Sequence, residues 1–149
     1  MTDAIDIAIA LCKKWEGCRL TAYPDPVSGG DPWTIGYGAT GPDIHERLVW
    51  TQQQADDDLV DRIESLSHQL FPYITFTASE NQLGAVLDLA YNEGAEAIID
   101  STLVRLMNQG DMNGAGNQFL RWDMAQGREI QGLLNRRKDE RRVFFGGTP

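Results

Sequence analysis

Cysteine and histidine are scarce in this chain, with two of each in 149 residues. Cys12 and Cys18 stand too close to close a useful loop, and His45 and His68 lie far from both, so no metal-ligand spacing exists. Free thiols are the expectation, since a protein kept in a reducing compartment rarely bridges such a pair. No apolar run is long enough to cross a bilayer. The N-terminal "MTDAIDIAIALCKKW" is interrupted by Asp3 and Asp6 and lacks a basic start and a small-residue cleavage site. It is therefore read neither as a signal peptide nor as a stable membrane anchor. Basic residues are also few, 13 against 22 acidic, for a net charge of -9. That excludes a general nucleic-acid binder, whose domain should be basic. No phosphate-cradling glycine loop is present, so no cofactor is expected. Repeats, low-complexity tracts and Pro/Ser-rich linkers are lacking too. What remains is a globular composition, 42% hydrophobic and 23% charged, in one chain long enough for a real core.

The charge is uneven. Residues 1–111 hold 6 basic and 18 acidic side chains, a balance of -12, whereas residues 112–149 hold 7 and 4, a balance of +3. The C-terminal basic residues have two readings. Spaced as on a helix, Arg137, Lys138 and Arg141 can pair with Glu129, Asp139 and Glu140 at the surface. Alternatively the positive face meets a polyanion.

Apolar residues recur at helical spacing over residues 3–14, and Gly17 offers a stop. Residues 18–48 collect prolines and glycines around two strand-like pieces, "RLTAY" and "WTIGYG", separated by a turn at "SGGDP"; a small sheet of two or three strands is expected. Beyond Trp50 the chain reads as helical. Thr51 with Gln54 makes a capping box, and Thr77 with Glu80 a second. Asp56, Asp57, Asp58 and Asp61 are read as acids suited to a helix start. "ASENQLGAVLDLAYN" is apolar enough to be a central buried helix. Ser101 opens a further helix and Asp111 caps the next. "IQGLLNRRKDERRVFF" closes the chain, with Phe144 and Phe145 docking it.

Within "WEGCRLTAYPD" two carboxyl groups occupy contrasting settings. Glu16 follows an apolar helix face and Trp15. Burial against apolar groups keeps a carboxyl protonated, as a proton donor requires. Asp25 lies between Pro24 and Pro26, which fix the backbone of a polar turn and so hold a carboxylate in place. Two such groups suit hydrolysis of a glycosidic bond. "PWTIGYGAT" then supplies a hydroxyl, Thr34, and two glycines, Gly36 and Gly38, that let a backbone approach a ligand.

The pattern Glu16-Gly17-x-Arg19…Asp25…"TIGYG" resembles the phage-type lysozymes, the T-even phage endolysin family (glycoside hydrolase family 24). "AYNEG", "STLVRLMNQGD", "FLRW" and "GLLNRRKDERRVFF" continue the likeness over roughly residues 5–145. The resemblance implies an α+β, lysozyme-like fold. In it an N-terminal helix and a small antiparallel β-hairpin sheet pack on a mainly helical bundle. Residues 1–149 would form one domain with two lobes, about 15–50 the β lobe and about 1–14 with 51–149 the helical one. It implies a muramidase that cuts the β-1,4 bond between N-acetylmuramic acid and N-acetylglucosamine. Glu16 is implied as the general acid, Asp25 as the group that orients or deprotonates water, and Thr34 as the hydroxyl holding that water. Tyr37, Asn92, Ser101 and Arg121 match places near the saccharide cleft, and Arg136 a place near the peptide side of the substrate. Water delivered from the opposite face would give inversion, with the two carboxyl groups ~6.5–9.5 Å apart rather than ~5–5.5 Å.

Two departures stand out. Eight residues separate Asp25 from Thr34, where the family has five between these positions, and Ala39 replaces a histidine common after "GYG". Extra residues at the hairpin tip would leave the strand register intact; within the strand they would turn Thr34 away. Trp50 and Trp122 are read as packing, and Trp33 as either packing or a sugar platform. The implied partners are bacterial peptidoglycan and a holin that opens the membrane. The protein would be a monomer, made in the host cytoplasm and acting on the wall once that membrane is permeable. A lytic transglycosylase and a non-catalytic wall-binding module are the rival readings.

Overall fold

The computed structural model describes residues 3–125 and 127–149. The chain divides into two compact units, residues 12–62 and residues 1–11 with 63–149. The division falls inside helices α1 (Ala4–Glu16) and α2 (Gln52–Leu70). The first turns of α2 therefore belong with the small sheet, not with the helical unit as the sequence boundary near residue 51 has it.

In the smaller unit, β1 (Arg19–Tyr23) pairs antiparallel with β2 (Thr34–Gly36). Arg19 stands opposite Gly36 and Tyr23 opposite Thr34, so β1 carries an irregularity between them. A third extended piece joins on the other edge of β1. The Ala22 amide donates to Leu48 O at 2.9 Å and the Trp50 amide to Leu20 O at 2.8 Å. Ala22, Ile35, Ala39 and Ile44 form the buried centre, flanked by Trp33, Leu48 and Trp50. Both of those tryptophans thus pack on the sheet core. The capping box that opens α2 is present: the Thr51 amide donates to Gln54 Oε1 and the Gln54 amide to Thr51 Oγ1.

The larger unit is helical: α3 (Glu80–Glu93), α4 (Ala95–Ile99), α5 (Thr102–Asn108), α6 (Met112–Gln118) and α7 (Gln131–Phe144). A two-residue hairpin pair, β3 (Met124–Ala125) and β4 (Arg128–Glu129), precedes α7. The box at α3 is formed by Ser79 and Gln82 rather than Thr77 and Glu80. Glu80 is engaged elsewhere, accepting from the Ala4 amide at 2.8 Å. Helix α3 is buried from Gly84 to Ala90, as its apolar pattern predicts. Gly84 is required there, because a Cβ would stand 2.5 Å from the Ile7 side chain. Helix α7 packs on α3. Phe144 is buried and meets Phe119 edge to face at 5.4 Å, while Phe145 lies at the rim over Gly116.

One buried face between α3 and α7 is charged. Asp88 is 0% exposed and takes a bidentate contact from Arg136, Nε to Oδ2 at 2.9 Å and Nη2 to Oδ1 at 2.8 Å. Glu140, also 0% exposed, accepts from Arg137 Nη2 at 2.8 Å and lies 3.6 Å from Arg136 Nε. Arg137 Nε stands 2.8 Å from Glu140 Oε2 without the alignment of a hydrogen bond, a close ion pair only. Burial, with Asp88 beside it, pushes the Glu140 carboxyl well above the usual range. The pairing of Arg137 with Glu140 was expected from their spacing, but at the surface. The structure puts it in the core because α7 turns this face onto α3. Arg141 and Arg142 do remain outside, on Asn117 and Asp139.

Candidate active site

Helix α1 ends at Glu16, and Gly17 turns the chain out with φ +67°. The Glu16 side chain is half-buried. Its carboxylate lies against Gly38, where a Cβ would come within 3.2 Å of Oε2. Gly38 sits in a tight turn closed by two backbone bonds, Ile35 N–H to Ala39 O at 3.0 Å and Ala39 N–H to Ile35 O at 2.8 Å. Gly36 in the same turn (φ +62°) faces the Trp50 ring, 2.9 Å from where its Cβ would stand. The two glycines therefore make room for protein side chains, Glu16 and Trp50, rather than for a ligand alone. Ala39 is fully buried in the sheet core. Gly38→Ala should be costly on both counts: φ is +86°, which costs a residue with a Cβ about 1–3 kcal/mol, and the new methyl displaces the carboxylate. Activity is expected to fall about tenfold from a displacement of that kind, together with a lower melting temperature. Equal turnover in the alanine variant would show that the Glu16 position is not critical.

Asp25 is held by the turn that follows it. Its Oδ1 accepts from the Val27 and Ser28 amides, each at 2.9 Å. Its own amide donates to Gly30 O and its carbonyl accepts from Gly29 N–H. Ser28 Oγ adds a bond to Asp31 O at 2.7 Å. Thr34 opens β2, half-buried, opposite Tyr23. The longer connection is thus folded into a turn closed on Asp25, and Thr34 keeps a strand pairing two residues before Asp25. Glu16, Asp25 and Thr34 all belong to the smaller unit.

Tyr37, expected near the saccharide, is only 6% exposed, and its hydroxyl is engaged. It donates to Asp56 Oδ1 at 2.9 Å and accepts from Gln52 Nε2 at 3.1 Å. Burial first, and then the Asp56 hydrogen bond, pushes its pKa up to about 12. Gln52 and Tyr37, by donating to it, hold Asp56 below the ordinary carboxylate range. The sequence reading treated Asp56 as one of several acids at a helix start. The four-residue spacing of Gln52 and Asp56 was the available clue to more, since it puts both on one face of α2.

In the helical unit, Ser101 and Arg121 line one open depression of about 420 Å³ together with Asp100, Gln118 and Trp122. Trp122, read as packing, also faces this depression. Ser101 Oγ caps α5, accepting from the Val104 amide and donating to Ile98 O at 2.6 Å. Asn92 presents a buried Oδ1 that meets no donor among the described residues. Arg136, expected on the peptide side of the substrate, is 5% exposed and committed to Asp88. The physical reason is that its bidentate carboxylate partner is in the core. Among the described residues no cluster of potential ligands could hold a metal ion, and no helix is long and apolar enough to cross a membrane.

The phage lysozyme family model matches residues 13–140. The chain is 37% identical over 141 residues to an endolysin of Bacillus phage PZA, covering 95% of this chain and 54% of that one. It thus spans about half the length of that relative. In structure it is similar to an endolysin from the Escherichia coli O157:H7 phage FAHEc1, with a TM-score of 0.84 and 27% identity, covering 96% of this chain and 94% of the other. It is equally close to the muramidase domain of SpmX from Asticaccaulis excentricus, at TM-score 0.84 and 26% identity, covering 94% and 95%.

Proposed function

The chain belongs to the phage lysozyme family, and on that premise we propose that it is an endolysin that hydrolyses the β-1,4 bond between N-acetylmuramic acid and N-acetylglucosamine in bacterial peptidoglycan. Glu16 protonates the bridging oxygen as the leaving group departs. Asp25 orients and deprotonates a water molecule, and Thr34 holds that water through its hydroxyl. Attack from the face opposite the leaving group inverts the anomeric centre.

The observation that carries this reading is the fixing of Asp25. Two backbone amides at 2.9 Å aim its carboxylate, and Thr34 stands opposite Tyr23, two residues upstream. A group that must deliver water needs this immobility more than it needs burial. Glu16 is half-buried at a helix end and rests on Gly38. Asn92, Ser101 and Arg121 are the further candidates for contact with sugar. The unpaired Asn92 Oδ1 suits an N-acetyl N–H. Arg136 is not left to the substrate. No cofactor enters the scheme. The enzyme acts as a monomer, and a holin admits it from the host cytoplasm to the wall.

Mass spectrometry of muropeptides released from purified walls tests the reaction. Products that have gained one water, with the α-anomer of the new reducing end appearing first by NMR, are expected. Anhydro products lighter by one water would indicate a transglycosylase instead. Wall binding without any release would indicate a binding module.

A further inference from the structure

Two separate pieces of chain that set the place of Glu16 converge on one oxygen atom. The first is the Ile35–Ala39 turn, whose Gly38 lies under the Glu16 carboxylate. Tyr37 fastens this turn to helix α2 through its hydroxyl on Asp56 Oδ1. The second is the last turn of α1. Lys13, three residues before Glu16, reaches the same Asp56 Oδ1 at 3.4 Å and stands 5.9 Å from the centre of the Tyr37 ring. Gln52 completes the junction, donating to both Asp56 Oδ1 at 2.9 Å and Tyr37 Oη.

We propose that Asp56 is a positioning residue for the general acid: by accepting from Tyr37, Gln52 and Lys13 on one oxygen it fixes the Gly38 turn against the end of α1, and so fixes where the Glu16 carboxylate stands. The inference rests on Glu16 being the acid. The bonds differ in weight. Lys13 and Asp56 are substantially exposed, so their ion pair contributes little by itself. The Tyr37 side chain is buried and its bond to Asp56 is partly so, and a buried hydroxyl deprived of its acceptor is costly. Tyr37 therefore stays on Asp56, and it ties the turn that carries Gly36 and Gly38 to α2. Burial and the Asp56 bond push the phenol's pKa up to about 12, so the hydroxyl keeps the proton it donates. Tyr37 then serves the reaction from below the turn, and its hydroxyl is not offered to sugar.

The test is steady-state kinetics of Asp56→Ala, Asp56→Asn and Tyr37→Phe on purified walls, with wild type and Glu16→Gln alongside. Asp56→Ala is expected to lower kcat about tenfold, the loss that follows from slight misplacement of a reacting group, with KM within about twofold. Asp56→Asn keeps an acceptor for Tyr37 and should recover most of that loss. Tyr37→Phe, which keeps the packed ring and so guards against misfolding, should reproduce part of it. In a Glu16→Gln background Asp56→Ala should have no further effect. A rise in KM with unchanged kcat in Tyr37→Phe would make Tyr37 a substrate contact and overturn the inference. So would an unaltered kcat in Asp56→Ala beside an inactive Glu16→Gln. Wild-type activity in Glu16→Gln would instead overturn the acid assignment, and this inference with it.

Discussion

Glutamine at position 16 is expected to lower the rate of bond cleavage by a factor on the order of 10²–10⁴, the usual contribution of a general acid. The substitution is close to isosteric, so the packing against Gly38 survives. The amide offers hydrogen bonds to the bridging oxygen but has no proton to surrender as the bond breaks. Binding to walls should therefore persist, and the melting temperature should move little, because Glu16 is half-buried and sits at a helix end. The measurement is release of reducing ends from purified peptidoglycan, with cosedimentation of protein and wall as the control. Full activity in the glutamine variant would remove Glu16 from the donor role. Loss of binding together with activity would make it a substrate contact.

The largest effect on stability is expected inside the helical unit. Asp88→Ala leaves Arg136 buried without its bidentate partner. Removing one member of a buried ion pair costs about 3–5 kcal/mol, and Arg136 would keep the longer Glu140 contact, at 3.6 Å, in place of its bidentate one. For a chain of this size that lowers the melting temperature by roughly 10 °C. Arg136→Met should be similarly harmful, for it removes the cation between Asp88 and Glu140, which then face each other. The pair Asp88→Ala with Arg136→Met should cost less than the sum of the single changes, because the orphaned charge disappears. Thermal and urea unfolding of the four proteins would measure this. Additive effects, or a loss under about 1 kcal/mol for Asp88→Ala, would mean that the cluster is hydrated and contributes as a surface pair does.

Much of this architecture could be read from residue types. The Thr51 and Gln54 box, the Ser101 and Asp111 caps and the buried face of α3 follow from local rules, since each depends on neighbours three or four positions away. The candidate catalytic trio, Glu16, Asp25 and Thr34, lies within 19 residues and in one compact unit. Long-range partners were not legible. Glu80 looked like the third residue of a cap with Thr77, yet it bonds Ala4, 76 positions away. Asp88 lay unnoticed in an apolar helix because nothing local identifies Arg136, 48 residues on, as its partner. The burial of Arg136 against Asp88 was hidden for the same reason. Periodicity says that a residue faces inward or outward, but not which charge waits there. Tyr37 illustrates the remainder, since a tyrosine between two glycines fits a ligand loop and a buried strut equally well until its hydroxyl is located.

The turn after Asp25 has a consequence for how this chain tolerates change. Its hydrogen bonds form a closed ring from Asp25 to Gly30, and Val27 at its crest is 88% exposed. Chain length beyond that ring is mechanically uncoupled from the carboxylate, so residues gained or lost there leave the aim of Asp25 alone. The stretch between Gly30 and Thr34 is accordingly the place where the chain can change length, whereas the crest cannot, because the Val27 and Ser28 amides there hold the carboxylate itself.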